Sequence, residues 1–121
     1  MNKLFLLSAI IILSFSCKKN QLGGKSRVSG VVAHHSKAIP RATVFIKFNT
    51  KEFPGSDTTA YDDKIRADEN GNYSFTCYKG DYYLYGFGYD YSITPPIVVG
   101  GVPVHIRNNE DLEINVAVTE D

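Results

Sequence analysis

Apolar and polar residues alternate with period two along much of the chain, the pattern of strands with one buried face. The plainest case is Arg66 to Tyr89. There Tyr73, Phe75 and Cys77 alternate with Asn72, Ser74 and Thr76. Asp68-Glu69-Asn70-Gly71 before this run and Lys79-Gly80-Asp81 after it are turn sequences, since Asn and Gly tolerate the positive φ that a tight hairpin needs. Tyr82 to Tyr89 is then a second strand. Five further strands are predicted: Arg27–His34, Ala42–Phe48, Thr58–Ala67, Ile97–Arg107 and Leu112–Thr119. In the third of these runs Tyr61 and Ile65 are expected to point inward. Gly100-Gly101 is expected to mark a bulge or bend. Leu112, Ile114, Val116 and Val118 form the cleanest alternation of all. His35–Ile39, Asn49–Asp57 and Asp90–Pro96 read as turns or loops. Beyond the first sixteen residues no window has helical i, i+3, i+4, i+7 spacing. Seven short strands at this spacing predict an all-β, seven-stranded antiparallel Greek-key sandwich.

The N-terminus follows a different pattern. Lys3 precedes an apolar run from Leu4 to Phe15, too short to span a bilayer, which needs about 20 residues, but matching the core of a secretory signal. Three units are expected: a signal peptide over 1–16, helical or disordered; a flexible tether over 17–25; and a sandwich domain over 26–121. The run ends Ser14-Phe15-Ser16-Cys17, which resembles the lipobox of bacterial lipoproteins. Ser14 stands where that family usually has Leu. The resemblance implies that Cys17 becomes the first mature residue and carries palmitate-type acyl chains, which anchor a protein stably when there is more than one. The expected partner is a membrane and the expected location the bacterial cell envelope. Lys18 and Lys19 follow Cys17 in place of the acidic residues that direct some lipoproteins to the surface, so the periplasmic face of the outer membrane is favoured. With Cys17 lipidated, Cys77 is left alone, and its phase with Tyr73 and Phe75 predicts a buried thiol acting as a small hydrophobe.

Charge adds an exclusion. Thirteen Lys and Arg balance thirteen Asp and Glu, with no basic stripe, so nucleic acid is not an expected partner.

Several segments together resemble the carboxypeptidase regulatory-like domain, one of the transthyretin-like sandwiches. Gly30 and Val32 match its first strand; Pro40, Ala42 and Val44 match the turn and second strand. Asp68, Gly71, Tyr73 and Phe75 match its hairpin, with Ala67 in place of the usual Thr, and Gly80, Tyr82 and Leu84 match the strand that follows. The resemblance implies that Tyr82, Leu84, Gly86 and Gly88 face the core. It also implies an accessory, adhesive or spacer role. Tyr83, Tyr85, Phe87 and Tyr89 then line the opposite face. Four aromatics in a row make a patch large enough to be a ligand-binding face, and flat rings with hydroxyl edges suit sugars, peptides or an envelope protein. The alternative is that neighbours such as Phe45 cover them in cross-strand pairs.

Other chemistry is thin. His34, His35 and His105 make a conceivable metal set, but adjacent strand residues point to opposite faces, so His34 and His35 share a ligand only if a turn intervenes. Neither a metal nor a cofactor is expected. Asp57, Asp62, Asp63, Asp68 and Glu69 read as turn-forming and solvated charge. An EF-hand loop with Gly71 as its turn glycine would need an acid where Arg66 stands. The histidines and Arg66 resemble those of the transthyretin-like hydroxyisourate hydrolases, but this chain ends Val-Thr-Glu-Asp and lacks their Tyr-Arg-Gly-Ser tail. No nucleophile–base pair, phosphate loop or CxxC is present. The expectation is a non-enzymatic envelope module with a structural or interaction role, or alternatively a glycan-binding accessory lipoprotein using the aromatic strand.

Overall fold

The computed structural model describes residues 21–121. The expected signal peptide, Cys17 with its expected lipid, and residues 18–20 of the expected tether lie outside these residues. Ten strand segments are present among the described residues: β1 (Leu22–His34), β2 (Lys37–Ala38), β3 (Thr43–Phe48), β4 (Asp63–Arg66), β5 (Asn72–Cys77), β6 (Gly80–Tyr89), β7 (Ile97–Ile106), β8 (Asp111–Glu113), β9 (Val116–Ala117) and β10 (Thr119–Glu120). A single 3-10 turn, Thr58–Ala60, precedes β4. The protein is an all-β two-sheet sandwich. One sheet has β1 at its centre, with β2 and β5 along one edge and β8 and β9 along the other. The second sheet runs β10-β7-β6-β3-β4.

Inward residues from both sheets make the core. Val28 and Val32 of β1 and Tyr73, Phe75 and Cys77 of β5 meet Val44, Ile46, Tyr82, Leu84, Val98, Val104 and Ile106 from the facing sheet. Burying each large apolar side chain contributes about 1.5–3 kcal/mol. The predicted phases of β5 and β6 hold throughout: Tyr82 and Leu84 are fully buried, and the residues between Tyr73, Phe75 and Cys77 are exposed.

The two turns around β5 do not close hairpins. β4 lies in the second sheet, β5 in the first and β6 back in the second, so both turns carry the chain between layers. Turn residues report a reversal but not which strands pair. Asp68 builds the first turn by accepting hydrogen bonds from the backbone N–H of Asn70 (2.8 Å) and Asn72 (2.9 Å).

Several boundaries depart from expectation. β1 begins at Leu22 rather than Arg27, so 22–25, expected to be tether, belong to the sheet. Leu22 packs against the core. Gly23 and Gly24, at φ 94° and 80°, form the bulge that lets both Leu22 and Ser26 register against Cys77. β4 is shorter than its predicted strand. It pairs with β3 only from Asp63, with Ile65 opposite Val44, and Ile65 packs inward as expected. Tyr61 does not point inward. It caps the 3-10 turn outside the ladder, where alternation no longer dictates its face.

No bulge forms at Gly100-Gly101, because β6 and β7 stay in continuous register from Gly80↔Ile106 to Tyr89↔Ile97. These glycines serve close approach instead. A Cβ on Gly100 would lie 2.1 Å from the Ala117 carbonyl oxygen, and one on Gly101 would lie 2.5 Å from the Tyr83 ring.

The final predicted strand keeps its phase, with Val116 and Val118 buried, but it breaks into three. β8 and β9 pair with β1 in parallel, not antiparallel, and β10 pairs with β7. The chain therefore crosses from one sheet to the other near Val118. These two extra breaks, with β2, account for ten segments in place of seven strands.

Candidate functional site

Every outward residue of β6 is aromatic from Tyr83 to Tyr89 at alternate positions, and the surroundings divide them into two groups. In the first, the Asn49–Asp57 loop folds Phe53 over the sheet, with ring centroids 5.7 Å from Tyr83 and 5.6 Å from Tyr85. Tyr61 stacks on Tyr85 at 5.7 Å and 17°, and Phe45 lies 5.9 Å from Tyr61. Tyr85 is thereby only 5% exposed, while Phe53 above it is 56% exposed. Burial pushes the Tyr61 hydroxyl up to about 12, with Tyr83 and Tyr85 adding to the shift. Beside this group an open hollow of about 370 Å³ is lined by Phe45, Thr58, Thr59, Tyr61, Asp62 and Lys64, among others.

The second group lies at the end of β6. Phe87 meets Tyr89 edge-on at 5.6 Å, and Tyr89 stacks on Tyr91 at 5.9 Å with the rings 10° from parallel. Tyr89 is 44% and Tyr91 82% exposed. Tyr85 is thus covered, by Phe53 and Tyr61 from outside the ladder rather than by the cross-strand pairs considered, whereas Tyr89 is not. The sequence reading missed Phe53, Tyr61 and Tyr91. Tyr91 was recoverable, since it continues the 83, 85, 87, 89 series by one more step. Phe53 and Tyr61 reach the face through a loop whose course carries no periodic signal.

His105 lies apart from His34 and His35. His105 pairs with Asp81 at 2.7 Å on the exposed side of β7. His34 is buried at the end of β1, its Nδ1 2.8 Å from Oδ2 of Asp90. That hydrogen bond raises its pKa. Asp90, also buried, accepts at Oδ1 from the backbone N–H and hydroxyl of Ser92 and from Lys37 Nζ. These contacts, Ser92 foremost, hold its carboxyl far below the usual carboxylate range. A tight turn does intervene after His34. His35 and Ser36 sit at φ 49° and 65°, and His34 pairs with Lys37 across them.

The acidic residues are taken up locally. Asp57 caps the 3-10 turn through Thr59, Asp62 accepts from the Phe48 N–H, Asp68 holds its own turn, and Glu69 pairs with Arg41 at 2.7 Å. Cys77 is a buried free thiol whose pKa burial raises, the opposite of what a nucleophile requires.

No protein-family model matches the chain, and no curated protein matches its sequence. Among solved structures it is similar to the crystal structure of a DUF3823 family protein from Parabacteroides merdae. Sequence identity is 16% and the TM-score 0.48, and the match covers 80% of this chain and 47% of the other. The chain thus spans about half the length of that protein.

Proposed function

We propose that the protein is a non-catalytic module of the bacterial cell envelope, of the carboxypeptidase regulatory-like type, anchored by lipid on Cys17 and acting by binding. The observation that carries this reading is the distribution of its chemistry. The thiol is buried, and the carboxylates of the central turns serve local structure. Among the described residues, the large apolar side chains left open to solvent are all aromatic: Phe53, and the stacked pair Tyr89 and Tyr91.

A glycan is the occupant this face fits best. Tyr89 and Tyr91 lie nearly parallel and present hydroxyl edges, so a sugar ring can stack on their apolar faces while its hydroxyls find polar partners. The hollow beside Tyr61 adds Thr58, Thr59 and Asp62 as hydrogen-bonding groups close to the same face.

Affinity electrophoresis in gels containing envelope and dietary polysaccharides tests the binding function. Retardation by at least one polysaccharide, lost in Tyr89→Ala and Tyr91→Ala, is expected. Unretarded migration in all of them would reduce the module to a spacer. Intact mass of the mature protein tests the anchor separately: acyl mass on Cys17 is expected, and a bare thiol there would refute it.

A further inference from the structure

Three potential ligand groups, two adjacent in sequence and one distant, converge where the C-terminal strand leaves one sheet for the other. His34 ends β1, His35 opens the turn into β2, and Glu120 lies in β10 opposite Val98. One ligand atom from each lies within 4.8 Å of the other two. The His34 and His35 ring centroids are 4.3 Å apart.

His34 is oriented from behind. Its Nδ1–H donates to Asp90 Oδ2, and Asp90 Oδ1 is already engaged by Ser92 and Lys37. In the neutral ring this leaves the lone pair on Nε2, where a metal can displace the proton that the imidazolium would carry. Nε2 is buried and makes no hydrogen bond. Glu120 Oε1 is 3.3 Å away, near enough for an ion pair but misdirected for a hydrogen bond. A proton or a metal cation can sit between these two atoms, and the exposed His35 ring beside them supplies the third donor that only a metal would use. Ligands on a tetrahedral zinc, each about 2.1 Å from the metal, stand about 3.4 Å apart, close to the separation seen. A carboxylate on the far ring nitrogen is also the arrangement that orients metal-binding histidines.

We propose that His34 Nε2, His35 and Glu120 form a binding site for a divalent first-row transition metal, with zinc the best fit to two imidazoles and one carboxylate. The turn after His34 removes the objection that adjacent strand residues diverge. Both turn residues hold positive φ without being glycine, a backbone strain that a ligand-holding turn gives a reason to keep. His35 is exposed and Glu120 is about half-exposed, so a metal has a path in, and small rotations of either side chain close the set. Three protein ligands leave a fourth position for water or a ligand from outside. A bound metal also joins the β1–β2 turn of one sheet to the edge strand of the other. None of these ligands belongs to the aromatic face, so the site stands or falls apart from glycan binding.

The test is calorimetric titration of the untagged full-length protein, in detergent and metal-free buffer, with Zn²⁺. One saturable equivalent is expected, with a rise in the thermal midpoint that a chelator reverses. Co²⁺ in its place should give the visible bands of tetrahedral coordination. Glu120→Gln removes the charge at an exposed position. His35→Asn keeps a residue that tolerates the left-handed turn. Each should weaken Zn²⁺ at least tenfold, while His105→Asn leaves it unchanged. Absence of saturable binding, affinity unchanged in either ligand variant, or loss in His105→Asn would each overturn the assignment.

Discussion

The two faces of β6 obey the same alternation and have different fates. Inward, Tyr82, Leu84, Gly86 and Gly88 meet a facing sheet, and all four are buried. Outward, Tyr83, Tyr85, Phe87 and Tyr89 have no facing sheet, and their cover from above is what loops bring to them. The Asn49–Asp57 loop and the residues before β4 bring Phe53 and Tyr61 to Tyr85, so it is buried. Tyr91 is the aromatic neighbour of Tyr89 at the strand's end, and both remain exposed. A strand's inward face is thus determined by the fold, whereas its outward face is determined by whichever segments fold over it. Stability resides mainly on the first face, and capacity for contact on the second.

The largest expected effect is on the inner face. Leu84→Ala removes a fully buried side chain between Ile46 and Val102, its register partners in β3 and β7. It should cost about 2–5 kcal/mol in urea unfolding, the lost transfer energy plus a cavity. Tyr85→Ala comes next, at about 2 kcal/mol, since it loses its burial and its pairs with Phe53 and Tyr61. It should also bring the Tyr61 hydroxyl down from about 12, because Tyr85 contributes to that shift. A cost for Tyr85→Ala below about 0.5 kcal/mol would mean that the loop does not rest on the sheet, and the two outer groups would become one.

How far the sequence carried this comparison follows from what alternation encodes. Period two states which residues share a face, and it placed Tyr73, Phe75 and Cys77 correctly; the phase of β6, with Tyr82 and Leu84 inward and the four aromatics outward, came from the family resemblance. Period two does not state which edge a strand pairs along. Hence the turns flanking β5 looked like hairpins, and the parallel pairing of β8 and β9 with β1 was invisible. Nor does it reach residues outside a ladder, which is why Tyr61 was assigned to the wrong face. Gly100-Gly101 looked like a break because glycine there answers to distant neighbours, the Ala117 carbonyl and the Tyr83 ring. Glu120 carried no signal at all: only the crossing of the C-terminal strand brings it to His34.

Tyr82→Phe probes the inner face more gently. Its hydroxyl donates to the Tyr78 carbonyl at 2.6 Å, and losing that bond should cost about 1 kcal/mol. The same substitution alters the response to alkali. Burial holds the Tyr82 and Tyr73 hydroxyls well above the ordinary tyrosine value. In the unfolded chain tyrosine ionises near pH 10. A group whose pKa is higher in the folded state stabilises fully below the unfolded value and loses that contribution as pH rises through the folded one. Stability should therefore be flat with respect to these groups below about pH 10 and fall above it. Tyr82→Phe should fall less steeply than wild type in urea melts between about pH 10 and 12. An equal slope would mean that this hydroxyl already reaches water.

The smallest effect on stability is expected at Tyr91, and there the contrast between faces is sharpest. With 82% of its surface exposed, the ring has one aromatic neighbour, Tyr89, and contributes little burial. Tyr91→Ala should therefore stay within about 0.5 kcal/mol of wild type, as surface substitutions usually do, whereas polysaccharide retardation should disappear. Tyr91→Phe separates the parts of the ring: it keeps the stacking face, removes the hydroxyl edge, and should retain most of the retardation if stacking dominates. Should Tyr91→Ala instead destabilise by 2 kcal/mol or more, the Tyr89–Tyr91 stack would be part of the fold, and the outer face would differ from the inner one only in how wet it is.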